Sequence, residues 1–416
     1  MSKARIIVIG AGPSGMMAAG RAAEHGCRVL LLEKMERLGS KLAITGKGRC
    51  NITNMEEMES FLEHYGTKGK FLRNCFARFF SGDLIDFFET RGIATVVERG
   101  RRVFPSSNDA EEIVNCLHRY LLAHRVEIRT GCPADAILVK DSRICGVQVD
   151  GEDIRCDGVI LATGGLSYPL TGSTGDGYRF AQDLGHRVRK PGPGLVPIEI
   201  EEDFIKSMKG LSLKNVELSA LANGKVFCRR FGEMLFTHFG ISGPIVLTMS
   251  REIVERLRKG KVIVSVNFKP ALAREILEKR LLRELEQYGR MKWKNVLKHL
   301  LPAAAIDVFV LRSGIPAAKK ASEVSREERH QLLQSLTAFT MTVKGPRPID
   351  EAIITDGGVA LDEIDPYSMQ SRLVKGLFFC GEVIDIAGDT GGYNLQAAFS
   401  TGYLAGESAG RLCGSL

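Results

Sequence analysis

The chain has 416 residues, of which 44% are hydrophobic and 7% aromatic, and a formal net charge of +8. That length points to two or three domains, and the composition is that of a globular enzyme with a sizeable core, not of a disordered or fibrous chain. The ten cysteines are scattered, without CxxC pairs or His/Cys ligand spacing, which argues against a disulfide framework, structural zinc and an iron–sulfur cluster. No apolar run approaches the ~20 residues that a membrane helix needs. No signal peptide is expected before a first buried strand at Arg5. The expected setting is cytoplasmic, with no membrane partner. The mild positive charge suits anionic ligands without implying nucleic acid, and no nucleic-acid partner is expected.

The first element is a short β-branched run, Arg5 to Ile9, followed at once by Gly10-Ala11-Gly12-Pro13-Ser14-Gly15. Met16 to Glu24 is rich in good helix formers, and a second apolar strand, Arg28 to Leu32, ends in Glu33, eighteen residues after Gly15. In this pattern Gly10 permits the tight turn, Gly12 admits a pyrophosphate and Gly15 lets helix pack on strand. The helix N-terminus offers N–H groups to phosphate, and Glu33 can accept from ribose hydroxyls. Strand, turn, helix and spaced acid together predict a dinucleotide site.

Lys34 follows, and then a loop from Leu38 to Asn54 that holds Ser40, Lys41, Gly46, Arg49, Cys50 and Asn51. Glycines and cations placed directly after the ribose acid suit the rest of a dinucleotide. No histidine here invites a covalent flavin link, and Cys50 has no partner thiol nearby. Phe71 to Phe88 shows helical apolar spacing, read as core. Arg99 to Pro105 is a basic turn containing Arg102. Strands are predicted at 126–129, 136–139, 144–149 and 156–162.

The last of these runs into Ala162-Thr163-Gly164-Gly165, where small residues let backbone approach a ligand. Gly172 to Tyr178 opens another helix, which Thr174 and Asp176 are expected to cap. From Pro191 the pattern changes to short alternating strands (196–200, 216–220, 226–228, 262–268), predicting an antiparallel barrel or sandwich. The segment Glu233 to Pro244 interrupts them and carries His238. Residues 271–335 are helical and charged. Between Arg251 and Leu300 fourteen Lys/Arg face six Glu, read as a solvated basic surface rather than an RNA or membrane site. The C-terminal block holds the strand Leu377 to Cys380, then Gly381-Glu382, then Gly391-Gly392-Tyr393-Asn394-Leu395 opening a small-residue helix. Glu382 is expected on ribityl hydroxyls. The Gly-Gly turn directs N–H donors at whatever lies before it; against a flavin they would meet N1 and the C2 carbonyl, where charge gathers on reduction.

Taken together, GAGPSG with Glu33, KLAITGKGRCNITN, ATGGLSYPLTGSTGDGY, FTHFGISGP and FCGEVIDIAGDTGGYNLQAAFSTG resemble the YhiN/BaiN-type bacterial flavoproteins. More distantly, TGDG and the Gly-acid strand resemble fumarate reductase and succinate dehydrogenase flavoproteins. The resemblance implies an α/β, Rossmann-like domain binding FAD noncovalently, built from residues 1–190 and 346–416. It further implies an inserted β-barrel (191–270 and 336–345) carrying a helical insert (271–335). Ser14, Glu33, Lys34, Lys41, Arg49, Asn51, Thr163, Glu382, Tyr393 and Asn394 would lie on or near FAD. Gly10, Gly12, Pro13, Gly15, Ser40, Gly46, Cys50, Ala134, Gly164, Gly381, Gly392 and Leu395 complete the candidate cofactor set.

Relatives are described as bile-acid ene reductases or aminoacetone oxidases. The expected activity is hydride transfer between flavin N5 and an organic substrate, an activated C=C bond of a steroid-like enone being the leading case. NADH or NADPH would serve as donor without a second nucleotide-binding fingerprint. An amine oxidase producing peroxide is the alternative enzyme, and an RNA-associated flavoprotein the alternative of another class. Tyr168, His238 and Arg102 are the candidate proton or oxyanion contacts, chosen for their chemistry.

Overall fold

The computed structural model describes residues 4–413. The chain forms two compact units, one of residues 1–193 with 353–416 and the other of residues 194–352.

The first unit is built on a five-stranded, all-parallel sheet in the order Leu377–Phe379, Gly158–Leu161, Arg5–Ile9, Arg28–Leu32, Glu127–Arg129. Ile6, Ile7, Val8, Leu31, Val159 and Ile160 are fully buried, as strands covered on both faces require. Helix Pro13–Glu24 follows the first strand, and Tyr393–Gly410 lies against that helix at backbone contact. A Cβ on Gly402 would stand 2.3 Å from the Ser14 carbonyl oxygen, and one on Gly406 would stand 2.4 Å from that of Ala18. The small-residue stripe of the last helix is therefore a packing surface.

The structure adds detail to two local readings of this unit and changes a third. The Phe71–Phe88 pattern is two helices, Gly69–Arg78 and Ser81–Glu89. The chain turns extended at Phe79, and Asp83 accepts from the Phe80 N–H at 2.8 Å to start the second helix. Strands Ala136–Lys140 and Arg143–Val149 do not join the parallel sheet. With Glu152–Arg155, a strand not predicted, they make an antiparallel sheet of their own. Thr174 and Asp176 do not cap the helix Asp176–Asp183. Gly175 stands at the cap with φ +86°, and both side chains bond Lys34 instead.

The second unit holds six antiparallel strands hydrogen-bonded into a closed ring: Ile198–Ile200, Gly240–Ser242, Lys225–Phe236, Ser212–Ala222, Val262–Asn267 and Phe339–Pro346. Strand Lys225–Phe236 takes in the first four residues of the segment read as an interruption, and the short strand Gly240–Ser242 takes in three more. Helix Pro244–Leu257, not foreseen, begins directly after it. Gly243 at φ +96° makes the turn and Pro244 fits the first helical position. Helices Arg274–Gln287, Ala303–Ser313 and Arg326–Thr337 pack together, and the first two lie against the short helix that starts at Trp293, which is fully buried and whose indole N–H donates to the Pro316 carbonyl at 2.9 Å.

Candidate functional site: a dinucleotide cradle at the strand ends

The parallel strands all end at one edge of the sheet, and the loops that leave that edge carry the candidate residues. Gly10 sits at φ +101°, and a Cβ there would meet the Ala162 carbonyl oxygen at 2.6 Å. On Gly15 it would stand 1.9 Å from the Gly10 carbonyl oxygen. On Gly12 it would meet nothing within 4 Å, so this glycine opens onto free space. Two glycines of the motif thus close the turn on itself, and the middle one leaves room for phosphate. Pro13 starts the helix, and Ser14 is buried beneath Gly381, whose Cβ would stand 2.3 Å from the Ser14 hydroxyl oxygen.

Glu33 is fixed by two backbone donors. Its Oε2 accepts from the Ala11 N–H at 2.7 Å and its Oε1 from the Met35 N–H at 2.9 Å. The carboxylate is thereby tied to the glycine turn, and each oxygen retains a lone pair for a ribose hydroxyl. The Cys132 N–H donates to the Glu33 carbonyl at 2.9 Å, which brings the segment with half-buried Ala134 beside the acid. Lys34 donates to Asp176 at 2.6 Å and to Thr174, linking the second strand to the helix after the Gly164–Gly165 turn.

Lys41 donates to Ser167 Oγ at 2.6 Å and to Glu382 Oε2 at 2.7 Å. Glu382 Oε1 accepts from the Thr355 N–H at 2.6 Å and meets the Ser167 hydroxyl at 3.0 Å. Burial opposes this carboxylate's charge, but Lys41, the Thr355 amide and Ser167 outweigh it and hold the pKa below the ordinary range. Residues expected to touch FAD separately are thus one network, and Ser167 and Thr355, absent from the sequence reading, complete it. Tyr168 adjoins this network, its ring centre 6.0 Å from Lys41 Nζ, with its backbone at φ +53°.

The loop from Ser40 to Asn51 folds back on itself. Ser40 donates to the Arg37 carbonyl, and the Cys50 N–H donates to the Thr45 carbonyl across Gly46. Arg49 is taken up by Glu98 at 2.5 Å and Asn108 at 2.6 Å, with its guanidinium over Phe104. Arg102 donates to the Arg99 carbonyl at 3.0 Å on the same small sheet. Cys50 is fully buried, which pushes its thiol far up and rules out a reactive thiolate.

Gly391 and Gly392, at φ +133° and +102°, form the turn into the last helix. The Asn394 amide is spent on that turn, donating to the carbonyls of Gly388 and Asp389, both at 3.0 Å, and accepting from the Gly388 N–H at 2.8 Å. Tyr393 is buried with His64 stacked on its ring at 3.9 Å, and Leu395 is half-buried at the first helical turn. His238 belongs to the second unit, where it is exposed and edge-on to Phe239 at 4.9 Å.

Fit to a dinucleotide can be tested on unsatisfied groups. Among the described residues, four buried side-chain polar atoms have no hydrogen-bond partner, and two of them are Asn51 Oδ1 and Thr163 Oγ1. Thr163 follows the strand Gly158–Leu161 at the sheet edge, one residue before Gly164 at φ +73°. An unpaired buried hydroxyl or amide oxygen costs about 1–3 kcal/mol. Two such costs among the predicted cofactor contacts, beside an open Gly12, fit a polar ligand.

Fold and strand-end loops together define the class, a Rossmann-type α/β domain with a glycine-rich cradle at the edge of its parallel sheet. The chain belongs to the HI0933-like family, matching its Rossmann domain over residues 4–408. It is 33% identical over 408 residues to the 3-dehydro-bile acid delta(4,6)-reductase of Clostridium scindens, covering 97% of this chain and 98% of that one. To the ribosomal RNA dihydrouridine synthase of Escherichia coli it is 30% identical over 409 residues, covering 98% of each. Among solved structures it resembles the open conformation of a flavocytochrome c3 fumarate reductase, with TM-score 0.53 and 17% identity over 99% of this chain and 78% of that one. The YhiN/BaiN-type resemblance and the distant likeness to fumarate reductase flavoproteins both hold.

Proposed function

We propose that this protein binds FAD noncovalently and reduces a carbon–carbon double bond conjugated to a carbonyl, with a nicotinamide nucleotide as electron donor. The pairing of an open Gly12 with the unpartnered Asn51 and Thr163 oxygens carries the cofactor part of this reading. The full-length identity to a bile-acid delta(4,6)-reductase supports the substrate class, a steroid-like enone.

FAD would supply hydride donation and acceptance at N5. The chain's own residues do the rest. The Gly10–Gly15 turn and helix Pro13–Glu24 would receive the pyrophosphate, and Glu33 the adenosine ribose. Asn51 and Thr163 would donate to or accept from cofactor polar atoms. Glu382, kept charged by Lys41, would orient the ribityl hydroxyls from within its network. The Gly391–Gly392 turn would aim the N-terminus of the last helix at the pyrimidine edge of the ring. Tyr168 is the proposed source of the proton for the substrate carbon next to the carbonyl, with Arg102 a contact to its oxygen; His238, which belongs to the second unit, is proposed separately as a proton donor. Residues 194–352 are read as the inserted domain.

A second reading has specific support. Uridine's C5=C6 bond is itself conjugated to a carbonyl, and a relative of equal coverage is named for making dihydrouridine in ribosomal RNA. The strand Lys225–Phe236 exposes Lys225, Arg229, Arg230 and Phe231, cations beside an aromatic ring of the kind that RNA engages. An RNA would then be the substrate.

One experiment separates the readings. Photoreduced, FAD-loaded protein is mixed without air with a 4-en-3-one bile acid or with unmodified ribosomal RNA. Return of the flavin bands with the enone supports the first reading, and return with RNA alone supports the second. Return with neither, but with oxygen and an amine substrate cycling the protein, overturns both in favour of an oxidase.

A further inference from the structure

The turn that opens the last helix is held from outside by a short upstream segment. Asn54, buried, donates through Nδ2 to the Gly391 carbonyl at 3.1 Å. The Asp389 N–H donates to the His64 carbonyl at 3.1 Å. Lys68 donates to Asp385 Oδ1 at 2.5 Å at the far end of the same loop, and Arg189 faces Asp385 Oδ2 at 3.2 Å. Between these fixed points lies His64, with its ring nitrogens on two different carboxylates. Nδ1 is 2.9 Å from Asp389 Oδ2 on the turn, and Nε2 is 2.9 Å from Glu56 Oε2 on the segment before helix Met58–Glu63.

That geometry sets the protonation state. A neutral imidazole has one N–H and one lone pair, so against two carboxylates it satisfies one and repels the other. Only the imidazolium donates to both. We propose that His64, as the imidazolium, is the positioning residue that clasps the Gly388–Gly392 turn, and that its deprotonation loosens the turn. The consequence for cofactor grip rests on the FAD reading above; the clasp itself does not.

The groups facing His64 favour this state. Glu56 comes from the upstream loop, Asp389 from the turn, and Tyr393 from the last helix, stacked on the imidazole at 22° between planes. Burial disfavours the cation, but Asp389 and Glu56 outweigh it and raise the pKa above the ordinary histidine value. Tyr65, next in the chain, donates its hydroxyl to the Tyr393 carbonyl at 2.6 Å, so the clasp bears on the helix start as well. A group with a raised folded pKa contributes fully below its unfolded value and is lost as pH rises through the folded one. The clasp is therefore closed near and below the ordinary histidine value, while both carboxylates stay ionised, and it opens as pH rises through the raised one.

The test is amide hydrogen exchange of the segment 385–395 in the full chain, free of FAD, corrected for intrinsic rates and followed from below the ordinary histidine value of about 6.5 upward until protection no longer changes. Protection should fall about tenfold on the alkaline side, as loss of a charge-assisted bond predicts. His64→Gln should show the low protection at every pH. Glu56→Gln, which keeps Asp389, should retain the protected state and move the transition to lower pH. Protection that is independent of pH and equal in His64→Gln overturns the clasp. FAD affinity measured in parallel by flavin fluorescence should weaken about tenfold through the same transition. Failure of FAD to bind at any pH, with the exchange transition intact, rejects the cofactor reading and leaves the clasp standing.

Discussion

The two units treat their polar groups in opposite ways. In the parallel sheet the strands are sealed on both faces, so polar chemistry is pushed to the edge where they end: Gly10, Glu33, Thr163 and Gly381 each follow a strand there. In the closed ring the strands alternate, as in Val262, Val264 and Val266 inside with Ile263 and Ser265 between them. Among the described residues the four buried side-chain polar atoms without a partner all lie in the first unit. One architecture gathers its loops and close backbone turns at an edge, and the other alternates inward and outward side chains around a ring.

The largest effect should come from breaking the edge itself. Gly15→Val would drive a side chain into the Gly10 carbonyl, so flavin should be lost completely, read as the absence of visible absorbance in purified protein. Next, Leu218→Ala in the ring removes a fully buried side chain and should cost about 3 kcal/mol in denaturant unfolding of its unit. FAD affinity should stay within twofold. A large affinity loss would break the proposed division of labour.

Smaller but more specific is Lys41→Met, which leaves Glu382 with the Thr355 amide and Ser167 but no counter-charge. Stability should drop by about 2 kcal/mol near neutral pH, below the 3–5 kcal/mol seen for fully buried pairs, because the pair is partly solvated. The native Glu382 pKa is depressed, so the pair stabilises above the ordinary carboxylate range and its contribution is lost as pH falls through the folded value. The two proteins should converge in acid. The finest test is Thr163→Val, which deletes an unpartnered hydroxyl. FAD-free protein should be as stable as the parent or more so, while FAD affinity falls about tenfold. A loss of stability without FAD would mean that the hydroxyl has a partner within the protein.

How much was legible in the chain follows the same division. The first strand, the glycine turn and the helix after it are local in sequence, so their places read directly from neighbouring residues. The Lys41–Glu382 pair joins residues 341 positions apart, and each looked like a separate cofactor contact. His64 had no signal at all, because Asp389 lies 325 positions downstream. Arg49 looked free for phosphate, whereas the hairpin that brings Glu98 to it could not be placed in space beforehand. Helix Pro244–Leu257 was hidden because its Gly-Pro start was taken for the end of a loop. Periodicity finds elements; it does not find which side chains a fold brings together.

The central claim is that the strand-end cradle holds one FAD, and equilibrium titration of FAD-free protein with FAD tests it most directly. The account predicts quenched flavin fluorescence saturating at one FAD per chain, with affinity cut about tenfold by Thr163→Val and abolished by Gly15→Val. Flavin that stays free in solution with folded parent protein, or binding untouched by both substitutions, would contradict it.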